Sequence, residues 1–297
     1  MTDTNRWFHP RGALRSGPWE AVVSDDIPGW AHTGLRVADI ISEPLTLPAA
    51  GLERMVVPLT GGPFTVDVDG ASEHLAGRDS VFDGPVDTLY AGIGTALVIR
   101  GTGRVAIAEA PATEQLPVAV LRASDTPVEV RGRGRSTRQV HNFGVPGGLA
   151  AQKLIVCEVL TPAENWSSYP GHKHDQSGPD ESSLEEIYYF ECEVARGLTA
   201  PAQADPFGLF STYSSPAGRI DTGAMVRTGD IALVPYGYHG PAAAAPGYDL
   251  YYLNVMAGPG AERAWRITDD PAHAWIRDTW IDQQPDPRLP MTAKDLP

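Results

Sequence analysis

Apolar positions fall in short runs rather than in long helical stripes. RMVVPL (54–59), FTVDV (64–68), TLYAG (88–92), ALVIR (96–100), RVAIAE (104–109) and VAVLR (118–122) mark the first half. KLIVCEVL (153–160), EIYYFE (186–191), FGLFSTY (207–213), DIALVP (230–235) and DLYYLNVM (249–256) mark the second. Several alternate, as FTVDV does, and most are bounded by Gly, Pro, Asp or Asn, which reads as β-strands closed by turns. The 31 glycines and 27 prolines are close to a fifth of the 297 residues and would break long helices repeatedly. The pattern predicts an all-β protein of antiparallel sandwiches, barrels or jelly rolls. An Arg- and Gly-rich stretch, VRGRGRSTRQVHNFG (130–144), separates two halves of similar strand density. It sets the expected division into residues 1–135 and 136–297. The segment DDPAHAWIRDTW (269–280) reads as a short helical tail that closes over the second half and packs Trp275 and Trp280.

Charge narrows the partners. The net charge is −14, and no basic block exceeds a few residues, so nucleic acid and anionic membrane surfaces would repel the chain. No run of eighteen apolar residues and no apolar leader region occur, so the expected compartment is the cytoplasm. Cys157 and Cys192 lie in strand-like runs and read as two unpaired thiols.

The chemistry gathers in the second half. His172 and His174 form an H-x-H pair; on a strand, residues two apart point the same way, so both imidazoles converge on one point. Glu185 and Glu186 lead into the apolar run IYYF, where an inward carboxylate needs a partner. His239 follows a Pro-x-Gly turn that redirects the chain. Three imidazoles and one carboxylate suit a borderline divalent metal: zinc first, with manganese, iron, nickel or cobalt as alternatives. Glu185 and Glu186 are adjacent on a strand and cannot both face it. Among the arginines between the halves, Arg138 is the one expected to reach a carboxylate ligand.

The order H-x-H, then Glu before an aromatic strand, then Gly229-x5-Pro235-x-Gly237 with a following His, resembles the two cupin motifs. Eleven residues (175–185) separate His174 from Glu186, more than cupins usually have, and this polar stretch reads as a loop inserted at the barrel mouth. Glu186 fits the motif best. Longer segments, GRDSVFDGPVDTLY (77–90), RSTRQVHNF (135–143), SYPGHKHD (168–175), LEEIYYFE (184–191) and VPYGYHGPAAAAPGYDLYYLNVMAGP (234–259), resemble the bicupin isomerase family that includes the 5-deoxy-glucuronate isomerases of inositol breakdown. The resemblance runs from about Trp30 to Trp280. It implies two cupin-type jelly-roll barrels with metal in the C-terminal one only; the first half lacks H-x-H, and its GRDSVFDGP turn reads as a metal-free relic.

The resemblance further implies conversion of 5-deoxy-D-glucuronate to 2-deoxy-5-keto-D-gluconate, an aldose–ketose exchange. Such chemistry needs a base for the proton beside the aldehyde, an electrophile for the enediolate and return of the proton. His172, His174, Glu186 and His239 are the implied ligands of the electrophilic cation. Glu185 or Tyr251 is the expected proton carrier, with Asp175, Asp180 and Glu181 of the loop as further candidates. Arg138, Lys173 or Arg219 is expected to hold the substrate carboxylate. His141 and Asn142 read as packing and turn-bonding groups. Two other readings stand beside the isomerase: a metal-dependent cupin dioxygenase or decarboxylase, and a non-enzymatic sugar-binding cupin. Exposed sheet edges and the related enzymes leave room for a homo-oligomer.

Overall fold

A computed structural model describes residues 6–293, and the chain is nearly all β. All eleven apolar runs form strands, within three residues of the sequence bounds. Four antiparallel sheets result. In the first half a six-stranded sheet faces a four-stranded one; in the second, a seven-stranded sheet faces a six-stranded one. The sheets curve around their cores without closing into continuous barrels.

Three apolar cores follow. One, with Val56, Phe64, Leu89 and Ile107, fills the first half. Another, with Val140, Tyr188, Phe190 and Tyr252, fills the second. The third, with Met55, Val57, Tyr90, Ile187, Tyr189 and Leu253, lies between the two large sheets, which pack face to face. This explains why some strands alternate and others do not. Leu52–Gly61, Glu185–Val194 and Tyr248–Ala257 are covered on both faces and read as near-continuous apolar runs. Phe64–Val68 and Gly218–Val226 cover a core on one face only and keep the period of two.

The two large sheets share one plan. Leu52–Gly61 lies between Gly103–Pro111 and Thr88–Ala91, as Glu185–Val194 lies between Tyr248–Ala257 and Ile231–Val234. Glu53 opposite Ala110 thus holds the place of Glu185 opposite Ala257, and Arg54 holds that of Glu186. This register also relocates the relic of the second motif. DTLYAGIG (87–94) stands where DIALVPYG (230–237) stands in the second half, and the GRDSVFDGP turn lies upstream of it.

Two expectations change. The Arg- and Gly-rich stretch expected to separate the halves is part of a sheet: Val128–Arg131 and Arg138–Gly144 pair with each other and extend the large sheet of the second half. Phe8–His9 joins the opposite edge of that sheet, so it draws strands from both sides of residue 135. The tail forms a short 3-10 helix, Ala274–Trp280, as expected, but Trp275 is 61% exposed rather than packed into the core. Trp280 carries the Arg277 guanidinium over its ring instead.

Candidate metal centre

Strand parity decides what reaches the interior of the second half. Along Glu185–Val194, Glu186, Tyr188 and Phe190 face inward, whereas Ile187 and Tyr189 face the core between the halves. The opposing sheet supplies the histidines. His172 pairs directly with His239 across two strands, and His174 follows one strand turn later.

His174, Glu186 and His239 meet, with one ligand atom of each within 4.8 Å of the others. His174 Nε2 lies 2.9 Å from Glu186 Oε2, and His239 Nε2 lies 3.0 Å from the same oxygen. The His172 ring stacks edge-on against His239 with centroids 4.4 Å apart, placing it beside the trio rather than within it. All four side chains are buried.

The outer nitrogens are already committed. His174 Nδ1 is 3.1 Å from the Leu184 carbonyl, and His239 Nδ1 is 3.2 Å from the Gly237 carbonyl. A proton on each Nδ1 leaves both Nε2 lone pairs aimed at the carboxylate, a contact that repels unless positive charge lies between them. His239 Nε2 is buried and makes no hydrogen bond despite its short approach to Glu186. Two imidazoles and a carboxylate converging in this way fit a divalent cation.

Electrostatics differ among the cluster residues. Burial would raise the Glu186 carboxyl, but His174 and His239 outweigh it and hold it far below the usual range. Burial, then the neighbouring His239, pushes His172 well below its ordinary value, as a neutral ligand requires. For His174, burial is outweighed by Glu186 and the imidazole is raised.

Hydroxyls continue the wall. Ser168 Oγ lies 3.2 Å from the Tyr188 hydroxyl and 3.1 Å from that of Tyr252. Ser168 has φ 45, the left-handed region that favours glycine, so its backbone is held there at a cost. Its carbonyl occupies the space a Cβ on Gly240 would need, which explains that glycine next to His239. Burial raises both phenols, Tyr252 to about 12, so they stay protonated donors. Neither Ser168 nor Tyr188 is singled out by the sequence.

Other predicted residues lie elsewhere. Glu185 turns to the opposite side of its strand and accepts the backbone amides of Ala31 (2.9 Å), His32 (2.6 Å) and Thr33 (3.3 Å). Tyr251 is buried in the core between the halves and donates to Glu158 at 2.8 Å. Neither faces the cluster, so the role of proton carrier there does not fit them. Lys173 is closed off by Asp175 and Glu181, and Arg219 is exposed, so neither is placed to hold a ligand at the cluster. Asp180 is exposed as well. His141 is buried between Gln139 and Glu158, a structural role as expected.

Arg138 is different. It lies directly across from Arg131, and like charges opposite each other destabilise a sheet. Arg131 is paired with Glu129, but among the described residues Arg138 has no acidic partner and donates only to the Ser136 carbonyl. Burial lowers its guanidinium to about 10, with Tyr252 nearby. A cavity of about 150 Å³, lined by Glu181, Ser182, Arg263 and Arg266, lies beside the inserted loop and includes none of the four cluster residues.

The first half holds no such cluster among the described residues. Arg54, in the place of Glu186, pairs with Glu109 at 2.9 Å, and Arg36 pairs with the other oxygen of Glu109 at 2.9 Å.

Comparison with known proteins accords with this geometry. The model of the KduI/IolB family matches residues 7–276. A 5-deoxy-glucuronate isomerase of Bacillus subtilis subsp. natto is 38% identical over 228 residues, covering 75% of this chain and 79% of its own length. That of Shouchella clausii is 35% identical over 250 residues, covering 82% and 88%. An IolB-like protein of Salmonella typhimurium LT2 superimposes with a TM-score of 0.80 at 33% identity, over 91% of this chain and 98% of that one. Oxalate decarboxylase of Lactobacillus farciminis, at 10% identity and a TM-score of 0.56, shares the fold.

Proposed function

The chain belongs to the KduI/IolB family, and on that premise we propose that it is an aldose–ketose isomerase converting 5-deoxy-D-glucuronate to 2-deoxy-5-keto-D-gluconate in the cytoplasm. The observation that carries the reading is the meeting of His174, Glu186 and His239 in a chain 35–39% identical to enzymes of that name. His172 completes the ligand set. The cation is zinc, with manganese, iron, nickel or cobalt as the alternatives. When bound, it supplies electrostatic stabilisation of charge developing on two neighbouring substrate oxygens.

The remaining work falls to the chain. Arg138 takes the substrate carboxylate, as a half-buried guanidinium without an acidic partner among the described residues and with Tyr252 nearby. Tyr188, Ser168 and Tyr252 donate hydrogen bonds to substrate oxygens and stay protonated because burial raises the phenols. Donors held in a buried wall need no reorganisation as negative charge builds up. Unpaired Cys157 and Cys192 are consistent with a reducing compartment. Among the described residues no helix is long and apolar enough to cross a membrane.

Metal analysis with NMR of 5-deoxy-glucuronate in deuterated water tests the reading. Loss of the aldehyde signal with deuterium at the carbon receiving the proton is expected. Metal-loaded protein that leaves the aldehyde untouched would overturn it.

A further inference from the structure

We infer that Lys173, Asp175 and Glu181 form a buried brace that positions the metal ligands, an assignment that rests on the metal reading above. Lys173 sits between His172 and His174, so on a strand its side chain leaves on the opposite side. There Nζ lies 2.8 Å from both Glu181 oxygens and 2.9 Å from Asp175 Oδ1. All three side chains are removed from solvent.

Each contact ends on a ligand-bearing segment. Asp175 Oδ2 accepts the Gly237 amide at 2.9 Å and the Ser215 hydroxyl. The carbonyl of the same Gly237 faces His239 Nδ1, so that residue is held on both sides, through its amide and its carbonyl. Glu181 accepts the amides of Asp175 (2.8 Å) and Gln176 (3.0 Å), curling the inserted loop back onto the H-x-H strand. The loop then closes through Leu184, whose amide bonds the His174 carbonyl at 2.9 Å and whose carbonyl faces His174 Nδ1. The eleven-residue insertion is therefore a clip joining the His174, Glu186 and His239 segments. One cation and two anions taken out of water pay a desolvation penalty that an apolar cluster would avoid. What they add is fixed geometry, since partners behind the ligands set ligand orientation and commonly change metal affinity 10- to 100-fold.

Titration of the metal-free full-length protein with cobalt(II), followed by its visible absorption, tests the brace. Lys173→Met is expected to weaken cobalt binding about 10- to 100-fold and to shift the absorption band, while circular dichroism stays unchanged. Glu181→Gln keeps the shape of the side chain and is expected to weaken binding in the same direction, and it decides the matter if Lys173→Met does not fold. Asp205→Asn, in an exposed pair with Arg227, serves as the control. Variants that bind cobalt within twofold of the parent with an unchanged band overturn the brace alone. Failure of the parent protein to bind cobalt overturns the metal reading and the brace together.

Discussion

Arg78 and Glu158 meet in a bidentate ion pair, 2.6 and 2.7 Å, that crosses from one half of the molecule to the other with both side chains buried. His141 and Tyr251 bond the same carboxylate at 2.6 and 2.8 Å. Gln139 carries the network on to the backbone of Met291. Removing one partner leaves the other charged and dry. Arg78→Met is therefore expected to destabilise by about 3–5 kcal/mol, and the double variant Arg78→Met/Glu158→Leu by clearly less. Urea unfolding of the three proteins measures this; equal losses in the single and double variants would contradict it.

Acid should act through the same carboxylates. Burial alone would raise Glu20, but hydrogen bonds from Arg104 and Arg11 hold it at about 2. Burial is likewise outweighed at Glu158, by Arg78 and His141, which keep it well below its ordinary value. Groups depressed in the folded state contribute fully above their unfolded value, near 4.5, and the contribution is lost as pH falls through the folded one. Stability should fall steeply from about pH 4.5 to about pH 2, and Glu158→Gln should start lower and fall less. Melting temperature against pH reads both slopes.

Glu185 and Glu186 should separate stability from chemistry. Glu185→Gln weakens a carboxylate that accepts three backbone amides and is expected to cost about 1–3 kcal/mol while kcat stays within twofold. Glu186→Gln should leave the protein folded and lower metal occupancy and turnover at least about 100-fold. The pair needs only chemical melts, metal analysis and an isomerase assay. A Glu185 variant that is stable but inactive would return that residue to the chemistry.

Arg138 should be read through KM. Arg138→Ala removes the proposed carboxylate partner and is expected to raise KM about 10- to 100-fold, with a smaller effect on kcat. Arg219→Ala, an exposed side chain on the strand Gly218–Val226, should leave both constants unchanged. Steady-state kinetics with 5-deoxy-glucuronate distinguishes the two, and an unaffected Arg138→Ala would move the carboxylate site elsewhere.

The apolar runs and the H-x-H pair were legible in the sequence because strand periodicity is local. What escaped depends on contacts between distant segments. Arg138–Gly144 reads as part of the polar stretch between the halves since Gln139, His141 and Asn142 are polar; Gln139 and His141 are buried against Met291 and Glu158, and Asn142 donates to Glu129. Parity showed that Glu185 and Glu186 must part company, and the cupin motif favoured Glu186, but nothing local revealed the amides of Ala31–Thr33 awaiting Glu185. Lys173 looked like a free cation because its partner Glu181 is eight residues away in a loop that reads as solvent-exposed. Ser168 carried no signal except its place beside Tyr169 and Pro170.

In the first half, Arg54 holds the ladder position that Glu186 holds in the second, and its guanidinium is fixed between Glu109 and the carbonyls of Pro48 and Thr95. Positive charge at that address is written into the polypeptide and arrives with translation, whereas on the proposed metal reading the sister address would draw its ion from the surroundings. On the metal reading proposed above, stripping the ion would disturb the second address and leave the Arg54 address as it is.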